Sequence, residues 1–190
     1  MYSGVRDELY TLAQTGEGEA ASLHRWAAAS RSWETLGLSG ATIEHPEAMT
    51  FHLESGALLV VDRTAAAPEQ HRLLGVDLAS GAVTVLAERL LVGAYDAVSL
   101  SIGYAGGIVL AASPSSAART QIAHLALDGI VARVVDRFET AEYRLAGDAR
   151  ERGGAVHLLS SDAEAYAVRR VQAGQFVAAG ADDSIEEVFR

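Results

Sequence analysis

The stretch that decides the fold is His71 to Leu90, HRLLGVDLASGAVTVLAERL. Leu73 to Leu78 read as one strand, Ser80-Gly81 reverse the chain, and Val83, Val85 and the residues after them run back as a second strand. Apolar alternation on both sides of a small-residue turn is the signature of an antiparallel hairpin.

The residues before this hairpin complete a larger unit. Met49 to Leu53 (MTFHL) is a strand, Ser55-Gly56 a turn, Leu58 to Arg63 (LLVVDR) a strand, and Thr64 to Gln70 a polar loop with Pro68. Four strands in one meander result. The next unit repeats the design with AVSLSI at 97–102, IVLAAS at 108–113, Gln121 to Leu127, an Asp128-Gly129 turn and Ile130 to Phe138. A further unit runs from Tyr143 through VHLLS at 156–160 and Ala165 to Val171, with Phe176 to Ala179 as its fourth strand. The first unit holds ELYTLAQ at 8–14. Its segment Ser22 to Ala29 fits a strand or a helical turn until the sister units decide for a strand.

Equivalent positions show that this is a repeat. Second strands begin at Leu9, Leu58, Ile108 and Val156, and third-to-fourth reversals fall at Arg31, Gly81, Gly129 and Gly174. A period near 48 residues made of four short strands is that of a β-propeller blade. The expectation is one all-β domain over 1–190, a four-bladed propeller with repeats at about 5–38, 46–90, 96–139 and 141–180. The first unit is expected to lack its innermost strand, and Ser184 to Arg190 (SIEEVFR) is expected to supply it, closing the ring and leaving no open edge. A short terminal helix is the other reading of SIEEVFR.

Pro46-Glu47-Ala48 and Tyr95-Asp96-Ala97, each followed by an alternating strand and a glycine turn, resemble the start of the repeat in hemopexin-type four-bladed propellers. The aromatic-rich second and third strands of that family are missing here, so the resemblance implies architecture and no ligand. The hairpin LLGVDLASGAVTVL is more similar to the generic blade of six- to eight-bladed propellers, which makes half of an eight-bladed ring, completed by a homodimer, the alternative architecture.

Composition excludes several chemistries. The chain has no cysteine, lysine or asparagine, and all 15 of its bases are arginine. Schiff-base and P-loop lysines, thiol nucleophiles, thiolate zinc sites, disulfides and N-glycosylation are therefore impossible. The pattern fits a GC-rich bacterial coding sequence. A net charge of −10 repels phosphate backbones, so no nucleic-acid partner is expected. With no basic-then-apolar leader and no long apolar run, the reading is a cytoplasmic protein without membrane contact.

Functional candidates follow from the blade plan. An acid stands near the start of each inner strand, Glu47, Asp96, Glu142 and Asp183, and a pseudo-fourfold axis would gather them at the channel mouth. His52, on the face of its strand opposite Phe51 and Leu53, is the best candidate for a channel-lining acid or base, with a hydrogen-bonded structural role as the bland reading. His45, in the loop before Pro46, completes the ligand-binding set. Trp26 and Trp33 read as core or inter-blade packing. No G-x-S-x-G elbow, phosphate loop or metal-ligand spacing occurs, and no cofactor is expected. The expected function is a non-enzymatic binding or interaction module that meets a protein or small molecule at the channel mouth. The alternative is a lyase, cyclase or isomerase acting through channel acid/base residues.

Overall fold

Leu58 to Val61 are four successive apolar residues, and all four are fully buried. A strand whose side chains alternate can bury such a run only if both of its faces are covered. Leu58 and Val60 join one core cluster with Tyr10 and Leu23, whereas Leu59 and Val61 join another with Leu100, Leu110 and Leu125. The strand lies in a sheet sandwiched between two others.

In the computed structural model, residues 2–3, 8–16, 18–103, 107–128, 131–141, 144–152, 155–161, 166–172 and 177–178 are described. Among these the fold is all-β without a helix, and the strands form four sheets, none closed on itself. The first sheet runs β1 (Tyr2–Ser3), β2 (Glu8–Ala13), β3 (Ser22–Ala27), β4 (Ser32–Leu36). In the second, β5 (Ser39–Gly40) lies parallel along the outer edge of a meander of β6 (His45–His52), β7 (Ala57–Arg63), β8 (Gln70–Asp77) and β9 (Ala82–Val92). The third comprises β10 (Tyr95–Ile102), β11 (Ile108–Pro114), β12 (Arg119–Asp128) and β13 (Val131–Ala141). The fourth holds β14 (Arg144–Arg152), β15 (Ala155–Ser161) and β16 (Tyr166–Gln172), while β17 (Val177–Ala178) pairs with β13. No helix among the described residues is long and apolar enough to cross a membrane.

The opening hairpin is present. Strand β8 pairs antiparallel with β9, with Leu73 opposite Ala87 and Val76 opposite Val83. Its turn recurs at the same place in the first sheet: the amide of Gly81 donates to the Asp77 carbonyl at 2.8 Å and that of Arg31 to the Ala27 carbonyl at 2.9 Å, with φ of 74° and 51°. Gly81 is obligatory, since a Cβ there would stand 2.0 Å from the Gly37 carbonyl oxygen. Arg31 adopts the same left-handed turn against its intrinsic preference.

Three apolar clusters stack the sheets in chain order. The first sheet packs on the second through Tyr10, Leu23, Leu58 and Leu74. The second packs on the third through Leu59, Leu73, Ile108 and Leu110, and the third on the fourth through Val109, Ile122, Val156 and Leu158. Each fully buried leucine contributes about 1.5–3 kcal/mol. Among the described residues, no cluster joins the fourth sheet to the first.

Two expectations need correction. The first sheet does have a fourth strand before Glu8, because Tyr2 pairs with Leu9 and Ser3 with Glu8. Val177–Ala178 does not complete the fourth sheet; it adds to the outer edge of β13, which spans 11 residues and offers unpaired backbone groups. Ser184 to Arg190, the expected closing strand, lies outside the described residues.

Candidate functional site

First strands of three consecutive sheets meet at one cleft of about 390 Å³, lined by Glu47 of β6, Tyr95 to Val98 of β10, and Ala146 and Gly147 of β14. Strand β10 can lie this close to β14 because its sequence alternates. Leu100 faces the second sheet's core, while Ser99 and Ser101 are buried toward the fourth sheet. Ser99 Oγ donates to Asp148 Oδ1 at 2.7 Å and accepts the Ala149 amide at 3.0 Å, and Ser101 Oγ donates to the Ala149 carbonyl at 2.6 Å. The two strands are thus joined by hydroxyls instead of a regular ladder.

Two carboxylates reach the cleft, each held by an arginine. Arg63 Nε donates to Glu47 Oε1 at 2.9 Å, and His71 Nε2 stands 3.0 Å from Glu47 Oε2. The His71 ring is 1% exposed, so the imidazole end of this contact is buried. Burial pushes the Glu47 carboxyl up, but His71 and Arg63 outweigh it and hold the carboxyl below its ordinary value. Asp96 accepts Ser115 Oγ at 2.6 Å and a hydrogen bond from Arg144.

Behind these carboxylates a chain of contacts runs outward from buried His71 to exposed Glu139. The Tyr95 ring meets His71 edge-on at 5.5 Å, its hydroxyl donates to Gln121 Oε1 at 3.4 Å, and Gln121 Nε2 donates to Glu139 Oε1 at 2.8 Å. Burial raises the Tyr95 phenol above its ordinary value, and nearby Glu139 adds to that against the opposing pull of Arg119. The phenol therefore remains a donor at neutral pH.

A second anchor fixes the approach to β6. Asp62, fully buried, accepts the Glu44 and His45 amides at 2.9 and 2.7 Å on one oxygen, and Arg72 Nε and Nη2 at 3.0 and 2.8 Å on the other. Arg72 also donates to the Thr42 carbonyl at 2.6 Å and Glu44 Oε1 at 3.1 Å. Burial pushes the Asp62 carboxyl above its ordinary value, and Arg72 with the two amides limits that rise.

The sequence candidates therefore separate. Glu47 and Asp96 come together at the cleft. His45, two residues from Glu47, lies 3.4 Å from Gln14 Nε2 toward the first sheet and does not line the cleft. His52 stands at the far end of β6, roughly 16 Å from Glu47 at strand spacing. Its Nδ1 is 2.8 Å from Ser55 Oγ and accepts the Ser55 amide at 3.3 Å, which holds the β6–β7 turn. Glu142 and Asp183 lie outside the described residues. Among the described residues no group of three acids or histidines is arranged to hold a metal ion.

Sequence reading passed over His71, Tyr95 as a side chain, and the Ser99–Ser101 pair. Only the serines left a signal, since hydroxyls alternating with Val and Leu in AVSLSI have no reason to face an apolar neighbour unless a backbone meets them. Compared with known proteins, the chain matches no family model and no curated protein is similar to it in sequence.

Proposed function

We propose that the four stacked sheets are blades of a propeller-type fold, and that the protein is a non-enzymatic binding module with its ligand in the cleft where β6, β10 and β14 meet. Support for the blade reading comes from the meander order, the stacking in chain order and the recurrent turns at Arg31 and Gly81. The observation that carries the binding reading is the delivery of Glu47 and Asp96, from the starts of two consecutive first strands, to one cleft. Each carboxylate is paired with a part-exposed arginine that does not itself line the cleft, so the surroundings of the cleft carry both signs of charge. That suits a small zwitterion, whose cationic end meets a carboxylate and whose anionic end meets Arg63 or Arg144, better than a bare metal ion.

One observation favours catalysis, the carboxylate–imidazole contact of Glu47 with His71. It is the weaker reading. His71 is sealed from the cleft, and a carboxyl held below its ordinary value is poorly matched to proton transfer near neutral pH. His52, committed to its turn, does not repair this.

The test is an NMR titration with glycine, β-alanine and γ-aminobutyrate, using acetate and methylammonium as single-charge controls. Binding predicts shifts at the Ala97, Val98 and Gly147 amides with a zwitterion, absent with both controls and lost in Glu47→Gln. No shift with any of the three, or shifts unchanged by Glu47→Gln, overturns it.

A further inference from the structure

Among the described residues, each covered sheet face is covered by a sister sheet, and one face of the first sheet and one of the fourth are left over. In the first sheet Tyr10 and Leu23 point to the second sheet, so alternation turns Leu9, Trp26 and Trp33 the other way. These three are cross-strand neighbours, Leu9 opposite Trp26 and Trp26 opposite Trp33. The two indoles meet edge-on at 5.6 Å, and Trp33 is 51% and Leu9 41% exposed. In the fourth sheet Val156 and Leu158 point to the third, leaving Leu159 and its partner Val168 outward, with Tyr166 two residues along β16. Exposure there is 38% for Leu159, 74% for Val168 and 77% for Tyr166.

We infer that these faces are the two halves of one more interface of the same kind, and that a second copy of the chain supplies the missing half: the first sheet of each copy packs on the fourth sheet of the other. This presupposes the blade reading above and gives it a partner. Three observations select a second copy. Among the described residues every apolar interface joins one sheet to the next in the series, so the face that would follow the fourth sheet is a first-sheet face. Within one chain no described cluster joins those two sheets, and Trp33 and Val168 stand open. A twofold axis covers both free faces of both copies at once, leaving neither chain with an open end.

Size and chemistry agree. At about 4.8 Å between strands and 3.3 Å per residue, each face spans roughly 350 Å², so a symmetrical pair buries on the order of 1,400 Å², enough for a specific interface. Both tryptophans of the chain lie on the first-sheet face, and Trp and Tyr are the side chains enriched at interface centres. The neighbouring row, Thr11, His24 and Thr35, adds no acid, although the chain carries a net charge of −10.

Sedimentation equilibrium and acrylamide quenching of tryptophan decide it, using wild type, Trp33→Glu and Val168→Glu, with Tyr166→Arg as a substitute should Val168→Glu lose its strand circular dichroism. The expected result is a wild-type mass twice the 19.9 kDa of one chain, falling to 19.9 kDa in either variant. Tryptophan should be more readily quenched in Val168→Glu, which keeps both indoles, than in wild type. A dimer whose mass neither variant changes overturns the inference. So does a wild-type monomer with shielded tryptophan, which leaves the blade reading standing because the ring then closes within one chain. A monomer with freely quenched tryptophan overturns the inference and the closed-ring reading together.

Discussion

Glu47 Oε2 lies 3.0 Å from Nε2 of His71, a ring that is 1% exposed. One end of this pair faces the cleft and the other is sealed in the boundary between the second and third sheets. The pair therefore links the charge at the mouth to the packing behind it.

That link has a pH dependence. The Glu47 carboxyl is held below its ordinary value in the folded chain, so its contribution is present above the unfolded value and is lost as pH falls through the folded one. Glu47→Gln should cost on the order of 1 kcal/mol at neutral pH. In urea unfolding, the gap between wild type and variant should hold from about pH 7 to about pH 5 and narrow as the pH is taken on down to about pH 3. A gap that stays constant over that range would show that Glu47 has an ordinary acidity.

Asp62 and Arg72 make the sharper stability prediction. Removing a partner from a buried, hydrogen-bonded pair leaves the other charge uncompensated, which costs about 3–5 kcal/mol. Asp62→Ala should fall in that range by denaturant unfolding, since it also frees the Glu44 and His45 amides. A loss below 1 kcal/mol, within what an exposed pair costs, would mean that water already reaches the carboxylate.

Stacking predicts a contrast between two leucines. Leu59, fully buried between the second and third sheets, should lose about 2–5 kcal/mol on truncation to Ala. Leu159, on the free face of the fourth sheet, should lose less than about 1 kcal/mol in the monomeric Val168→Glu background. Equal losses would argue against the stacking order.

The two equivalent turns should respond in opposite directions. Gly81→Ala brings a Cβ against the Gly37 carbonyl in a left-handed conformation and should destabilise by more than about 1 kcal/mol. Arg31→Gly relieves the same conformation and should stabilise by up to about 1 kcal/mol. Thermal unfolding of both variants checks the pair, and a destabilised Arg31→Gly would show that its side chain, not its backbone, matters there.

Strand content and turns were legible because hairpin chemistry is local: Asp77 to Gly81 carries its reversal in its own residues. Stacking was legible too, though in a subtler signal. The second strands of the inner sheets, LLVV at 58–61 and IVLAA at 108–112, are continuously apolar, whereas ELYTLA and VHLLS of the end sheets are interrupted. The candidate site was half legible. Repeat position identified Glu47 and Asp96, but nothing local reveals that Arg63 and Arg144 neutralise them, because those contacts depend on how strands and sheets are laid against each other. Position on a first strand promoted His52, yet Ser55, three residues on, offered the nearer hydrogen bond. The placement of β17 was illegible for a similar reason, since a two-residue strand goes to whichever edge is free and nearby.

The shortest strands carry a consequence for solubility. Strands β5 and β17, two residues each, cover part of the outer edges of the second and third sheets. Among the described residues, the outer edges of β4 and β16 in the end sheets have no such guard. Unguarded edges template strand addition between molecules. The ends of the stack are thus where the chain is most exposed to uncontrolled self-association, and a designer wishing to keep it in solution would place charge or proline along β4 and β16 and leave the inner sheets alone.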